Sequence, residues 1–110
     1  MLSAGAKNIT CIEPYPSNFL KTNTNIKLIK KKLQHCDIKI FEDLSAGDFL
    51  FIDSTHTLKI GSDVSIIYLE IIPKLKPGVI IHIHDIFFPY NYSRDINNTM
   101  FQWLETQMLQ

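Results

Sequence analysis

The sequence predicts an α/β fold, a mostly parallel sheet with flanking helices. Two observations carry that prediction. Short apolar runs alternate along the chain with stretches of helical spacing, the pattern of strands joined by helical crossovers. The last two runs, FLFI at 49–52 and VIIHIH at 79–84, are almost continuously β-branched or aromatic. Strands covered on both faces read this way.

In chain order, the first run is ITCI at 9–12, closed by Glu13 and the turn PYP. A helix is expected next, N-capped by Ser17 and reaching toward Leu33, with Phe19, Leu20, Ile26, Ile29 and Leu33 on its apolar side. The polar residues around Asn23 and Asn25 allow it a later start, near Ile26. The basic run Lys30, Lys31 and Lys32 reads as a solvated helix face or, alternatively, an anion patch. The second strand is expected at IKIF, 38–41, closed by Glu42 and Asp43. The third, at 49–52, follows the turn pair Gly47 and Asp48 and ends at Asp53. Ser62 or Asp63 then opens a clearer helix, with Ile66, Ile67, Leu69, Ile71 and Leu75 before the stop Lys76, Pro77, Gly78. The fourth strand, 79–84, ends at Asp85, and a last helix is expected at 98–109.

Length and charge bound the rest. With 110 residues, 45% of them hydrophobic, the chain supports one packed domain spanning 1–110 and excludes general disorder. Eleven basic residues balance eleven acidic ones, so no charge argument points to nucleic acid or an anionic membrane. The apolar runs are far short of the roughly 20 residues that span a bilayer. The N-terminus has neither the basic start nor the apolar stretch of a secretory signal. Two cysteines, Cys11 and Cys36, far apart in sequence, fit a reducing cytoplasmic setting.

The chemistry gathers at the strand ends. Each expected strand closes on a carboxylate, and open α/β sheets bind ligands along that edge. Acids are also poor strand formers and mark strand ends anyway, which suffices for Glu42 and Asp43. Asp53 and Asp85 come with histidines, in DSTH at 53–56 and HIHD at 82–85. Oxygen and imidazole donors of this kind suit a divalent metal or general-base chemistry. His82 reads as a hydrogen-bonded core histidine, and His84 lies nearer the edge. His56 reads as a loop residue acting as a ligand, a base or a helix-capping partner. Glu13, held by the stiff PYP loop, suits hydrogen bonds from ribose hydroxyls.

The segments ITCIEPYPS, AGDFLFIDSTHTLKIGSDV and IIPKLKPGVIIHIHDIFFPYNY resemble class I S-adenosylmethionine-dependent methyltransferases. The most similar group is the one often called methyltransferase family 24. The resemblance spans roughly residues 5–92 and implies a partial Rossmann-like sheet. It implies that Glu13 binds the cofactor ribose, with Glu42 or Asp43 near the adenine. It places Asp53 where related metal-dependent O-methyltransferases carry a first metal carboxylate. His84 and Asp85 fall where those relatives have a pair of adjacent ligands, so the implied metal set is Asp53, His84 and Asp85. A histidine in that pair departs from the pattern and suggests a softer metal than magnesium. No G-x-G pattern occurs in the chain, so the family's glycine-rich cofactor turn and first strand are expected to be lacking, as are the strands after the fifth. The family order 3-2-1-4-5-7-6 then leaves no partner between its second and fourth strands.

Three functions follow as expectations. The first is methyl transfer from S-adenosylmethionine to an oxygen or nitrogen of a small molecule, with His56 and Asp53 catalytic and Asp53 also near the cofactor. The second is a non-catalytic, structural module of the same descent, prone to self-association through an unpaired strand edge. The third is a metal-dependent hydrolase built on Asp53, His56, His84 and Asp85.

Overall fold

The computed structural model describes residues 5–87 and 108–109. The chain divides into two compact units, Met1–Cys36 and Asp37–Gln110. In the first, β1 (Ile9–Ile12) and β2 (Ile26–Ile29) pair in parallel, with Ile9 opposite Ile26 and Ile12 opposite Ile29. Between them lies α1 (Asn18–Thr22), capped as expected by Ser17, whose side chain accepts from the Leu20 amide at 3.4 Å.

That helix is much shorter than its apolar spacing predicts. The Asn23 side chain accepts from the Asn25 amide at 2.9 Å, a local bond that competes with continued helix. Beyond it IKLI is extended, with Ile26 half-buried and Lys27 exposed. Ile26, Ile29 and Leu33 fit a period of 3.6, but β-branched residues favour the strand once the helix has stopped. Lys30, Lys31 and Lys32 therefore lie in the exposed connection after β2 rather than on a helix face.

The second unit begins with another correction. Residues Ile38–Phe41 form a short 3₁₀ helix, not a strand. Asp37 caps it by accepting from the Lys39 amide at 3.0 Å. Here a local side-chain bond outweighs the strand preference of four residues.

Next come β3 (Phe49–Ile52) and β4 (Ile80–Ile83), parallel, with Phe49 opposite Ile80 and Ile52 opposite Ile83. Their entry is clamped: the Gly47 amide donates to the Gly78 carbonyl at 2.8 Å and the Ile80 amide to the Asp48 carbonyl at 2.9 Å. Gly78 has φ of 89°, and a Cβ there would stand 2.7 Å from the Ala46 Cβ, so glycine is required.

The connection between β3 and β4 is α2 (Asp63–Ile66), which continues as a π-helical turn, Ile67–Ile71, and a 3₁₀ turn, Ile72–Lys74. Ser62 caps it, accepting from the Ser65 amide at 3.2 Å. Val64, Ile67, Tyr68 and Ile71 from this helix are buried, as is Ile52 of β3. Together they form the core of the unit.

The four strands thus lie in two separate parallel pairs with helical connections, an α/β arrangement. The helix expected at 98–109 and the aromatic loop after Phe87 fall almost entirely outside the described residues. No helix among the described residues is long and apolar enough to cross a membrane.

Candidate functional site

Glu13 directly follows β1 and extends its pairing, donating its amide to the Ile29 carbonyl at 3.1 Å. Its side chain is half-buried and turns back on the PYP loop, where Oε1 accepts from the Tyr15 amide at 2.8 Å. The loop is anchored by Pro16, which is buried. Oε2 makes no hydrogen bond among the described residues, so the carboxylate keeps an oxygen for a hydroxyl donor. Nearby, burial and the Glu13 charge push the Cys11 thiol above its ordinary range.

Glu42 and Asp43 are placed differently from expectation. Glu42 closes the 3₁₀ helix, both side chains are exposed, and neither ends a strand.

The segment after β3 is tightly built. Asp53 is exposed, whereas His56 is only 3% exposed and has a left-handed backbone with φ of 54°. Such a conformation is uncommon for a residue with a Cβ and persists where surrounding bonds enforce it. The bonds are present. The His56 amide donates to Ser54 Oγ at 3.0 Å, and Ser54 Oγ also lies 3.4 Å from His56 Nδ1. On the other side of the ring, Nε2 faces Asp53 Oδ1 at 3.7 Å, an ion-pair distance for a protonated imidazole.

Asp63 fastens this segment to the start of α2. It accepts from the Thr55 amide at 2.8 Å and from the Thr55 hydroxyl at 2.6 Å. It also accepts from the Val64 amide at 3.0 Å. Sequence reasoning singled out Asp53 and His56 and missed Ser54, Thr55 and Asp63. The available signal was the pair of hydroxyl residues between an acid and a histidine, with an acid opening the next helix.

At the end of β4, His84 Nε2 lies 3.5 Å from Asp85 Oδ1, and both side chains are about half exposed. Asp85 also has a left-handed backbone, with φ of 58°. His82 is exposed, not a core residue. Its ring stacks on Phe51 with centroids 5.1 Å apart and planes at 7°, and His84 sits 5.5 Å from the same phenyl ring. Strand alternation puts all three on one face of the β3–β4 pair, where all three are exposed.

This arrangement bears on the metal. Asp53 is turned to His56, Asp85 to its neighbour His84, and the imidazoles of β4 lie against phenyl rings. Among the described residues no three His, Cys, Asp or Glu side chains form a group that could hold a metal ion. Among the described residues, Asp53, His84 and Asp85 are thus not brought together as a metal centre.

A family model described as a methyltransferase domain matches residues 1–86, covering β1 to the end of β4. Neither curated proteins nor solved structures gave a match. The matched span contains Glu13 after β1, the 53–56 segment after β3 and Asp85 after β4, the positions where an α/β protein presents its ligand-binding edge. On that match, which covers well over half its length, the chain belongs to the methyltransferase-domain family.

Proposed function

We propose that this chain is a class I methyltransferase domain that uses S-adenosylmethionine to methylate an oxygen or nitrogen of a small molecule. The observation that carries it is Glu13, a strand-end carboxylate fixed by its own loop with one oxygen left for a hydroxyl. The resemblance of ITCIEPYPS to class I enzymes implies the ribose-binding role for this acid.

When bound, S-adenosylmethionine supplies an electrophilic methyl group. Glu13 accepts hydrogen bonds from the ribose hydroxyls and orients the cofactor. Asp53 holds the His56 imidazole and stabilises its positive charge once it has taken a proton. His56 is the base for the acceptor's O–H or N–H proton. Positioning of the two reactants supplies most of the remaining acceleration. A reducing cytoplasmic setting agrees with Cys11 and Cys36, both free thiols.

Isothermal titration with S-adenosylhomocysteine tests the cofactor assignment. The protein is expected to release or absorb heat on binding. Glu13→Gln is expected to weaken affinity about 10- to 100-fold, the usual effect of losing a charged hydrogen bond. A folded protein that gives no heat at any accessible concentration overturns the reading.

The two-stranded sheets favour a second reading, a non-catalytic module that self-associates through an open strand edge. Light scattering after size exclusion separates the two. A clean monomer that binds S-adenosylhomocysteine removes the second reading.

A further inference from the structure

The balanced charge of the whole chain hides an uneven division. Six of the eleven basic residues, Lys7, Lys21, Lys27, Lys30, Lys31 and Lys32, fall in Met1–Cys36, which has one acid, Glu13. The other ten acids all lie after Cys36. The first unit is therefore strongly cationic, and a field of one sign draws counter-ions into concave places on a surface.

Such a place exists at the amino ends of β1 and β2. A cleft of about 500 Å³ has Lys7, Asn8, Thr10, Thr24, Asn25 and Lys27 as its polar lining, and no carboxylate among its described residues. A cleft of this size admits a small molecule. Thr10 is opposite Lys27 in the strand register, so alternation puts both on one face, and both are exposed between half-buried neighbours. The side chains of Lys7, Thr10, Thr24 and Lys27 donate to no acceptor among the described residues. Glu13 follows the opposite end of β1.

We propose that this cleft binds a phosphate-type oxyanion, either the free ion or the phosphate of a small ester. The two lysines supply the charge, and the two hydroxyls and two amides supply neutral donors. A cation would be repelled here, and a neutral ligand would leave both ammonium groups uncompensated. A carboxylate offers only two oxygens, whereas a phosphate spreads its charge over more of them, which a set of six donor groups can share. The site is separate from the cofactor assignment, because open α/β sheets take their main ligands at the carboxyl ends of the strands.

Amide spectra of the whole nitrogen-15-labelled chain at constant ionic strength test this, with inorganic phosphate and ribose 5-phosphate as the probes. Saturable shifts are expected at residues 7–10 and 24–27. Lys7→Gln and Lys27→Gln are each expected to weaken binding about 5- to 10-fold. Lys31→Gln removes an equal charge from the same unit outside the cleft, and is expected to weaken binding about twofold at most. Tighter binding of the ester than of the ion supports a site for a phosphorylated small molecule, and equal binding supports a site for free phosphate. A folded protein that shows no saturable shift with either probe overturns the proposal. A loss in Lys31→Gln as large as that in Lys27→Gln overturns it too, because diffuse charge would then explain the binding. The titration with S-adenosylhomocysteine reads the other end of β1, so failure of the cofactor reading and failure of this site give different results.

Discussion

The two units of the chain are held together by different means. In Asp37–Gln110 a strand and a helix bury Ile52, Val64, Ile67, Tyr68 and Ile71 together. Among the described residues of Met1–Cys36 only Pro16 is buried, and the strand ladder and the turns around it supply the rest. The acid proposed for the cofactor thus sits in a unit whose described residues bury only Pro16, whereas the histidine proposed as the base is itself buried in the unit that has a core. A single residue can be oriented by its own loop, as Glu13 is by Tyr15. A buried, strained imidazole needs a packed helix start behind it.

The sharpest way to break this comparison is to remove matched apolar groups. Ile71→Ala, at a site 2% exposed, is expected to cost about 2–4 kcal/mol in urea titration. Ile12→Ala, at a half-buried site, is expected to cost about 1 kcal/mol. Equal losses at the two sites would mean that the first unit has more buried support than its exposure implies. A smaller effect is expected at Asp63. Asp63→Ala removes the two Thr55 bonds and is expected to lower stability by about 1–2 kcal/mol. It is also expected to leave Cys11 reactivity unchanged, because the loss is confined to the second unit.

The smallest effect concerns Cys11. Burial, then the neighbouring Glu13 charge, raises its pKa, so folding favours the neutral thiol. That stabilisation is complete below the ordinary thiol range, about 8.5, and is lost as pH rises through the higher folded value. Alkylation of Cys11 near pH 8 is therefore expected to run a few times slower than in a short peptide, and Glu13→Gln is expected to recover part of the rate. A rate equal to the peptide's would show that Glu13 does not act on the thiol.

Three of the strands and the clearer helix were legible in the sequence because two signals coincided at each. At 49–52 and 79–84 apolar runs met turn residues, and at Ser62 a cap preceded an apolar helical spacing. The errors arose where one four-residue segment satisfied two periods. IKLI fits both a helix face and a strand, and a side-chain turn at Asn23 decided it. IKIF fits a strand, and the Asp37 cap turned it into a 3₁₀ helix. Of the site, Asp53 and His56 were visible as a motif. The part played by Ser54, Thr55 and Asp63 was not, because it depends on a left-handed turn and on a contact eight residues along the chain. The exposure of His82 was equally hidden, since strand alternation groups residues by face without revealing which face is buried.

The registers of the two ladders have a consequence for the order of assembly. Ile9 meets Ile26 across a short connection, whereas Phe49 meets Ile80 across one nearly twice as long. Closing the longer loop costs only about 0.5 kcal/mol more in chain entropy, but the search for its register is slower. The first ladder is thus quick to find and, with only Pro16 buried among the described residues of its unit, quick to lose. The second forms late and then persists. Newly made chain thus completes the Glu13 loop, closed by the Tyr15 amide, before the ladder of the second unit can form.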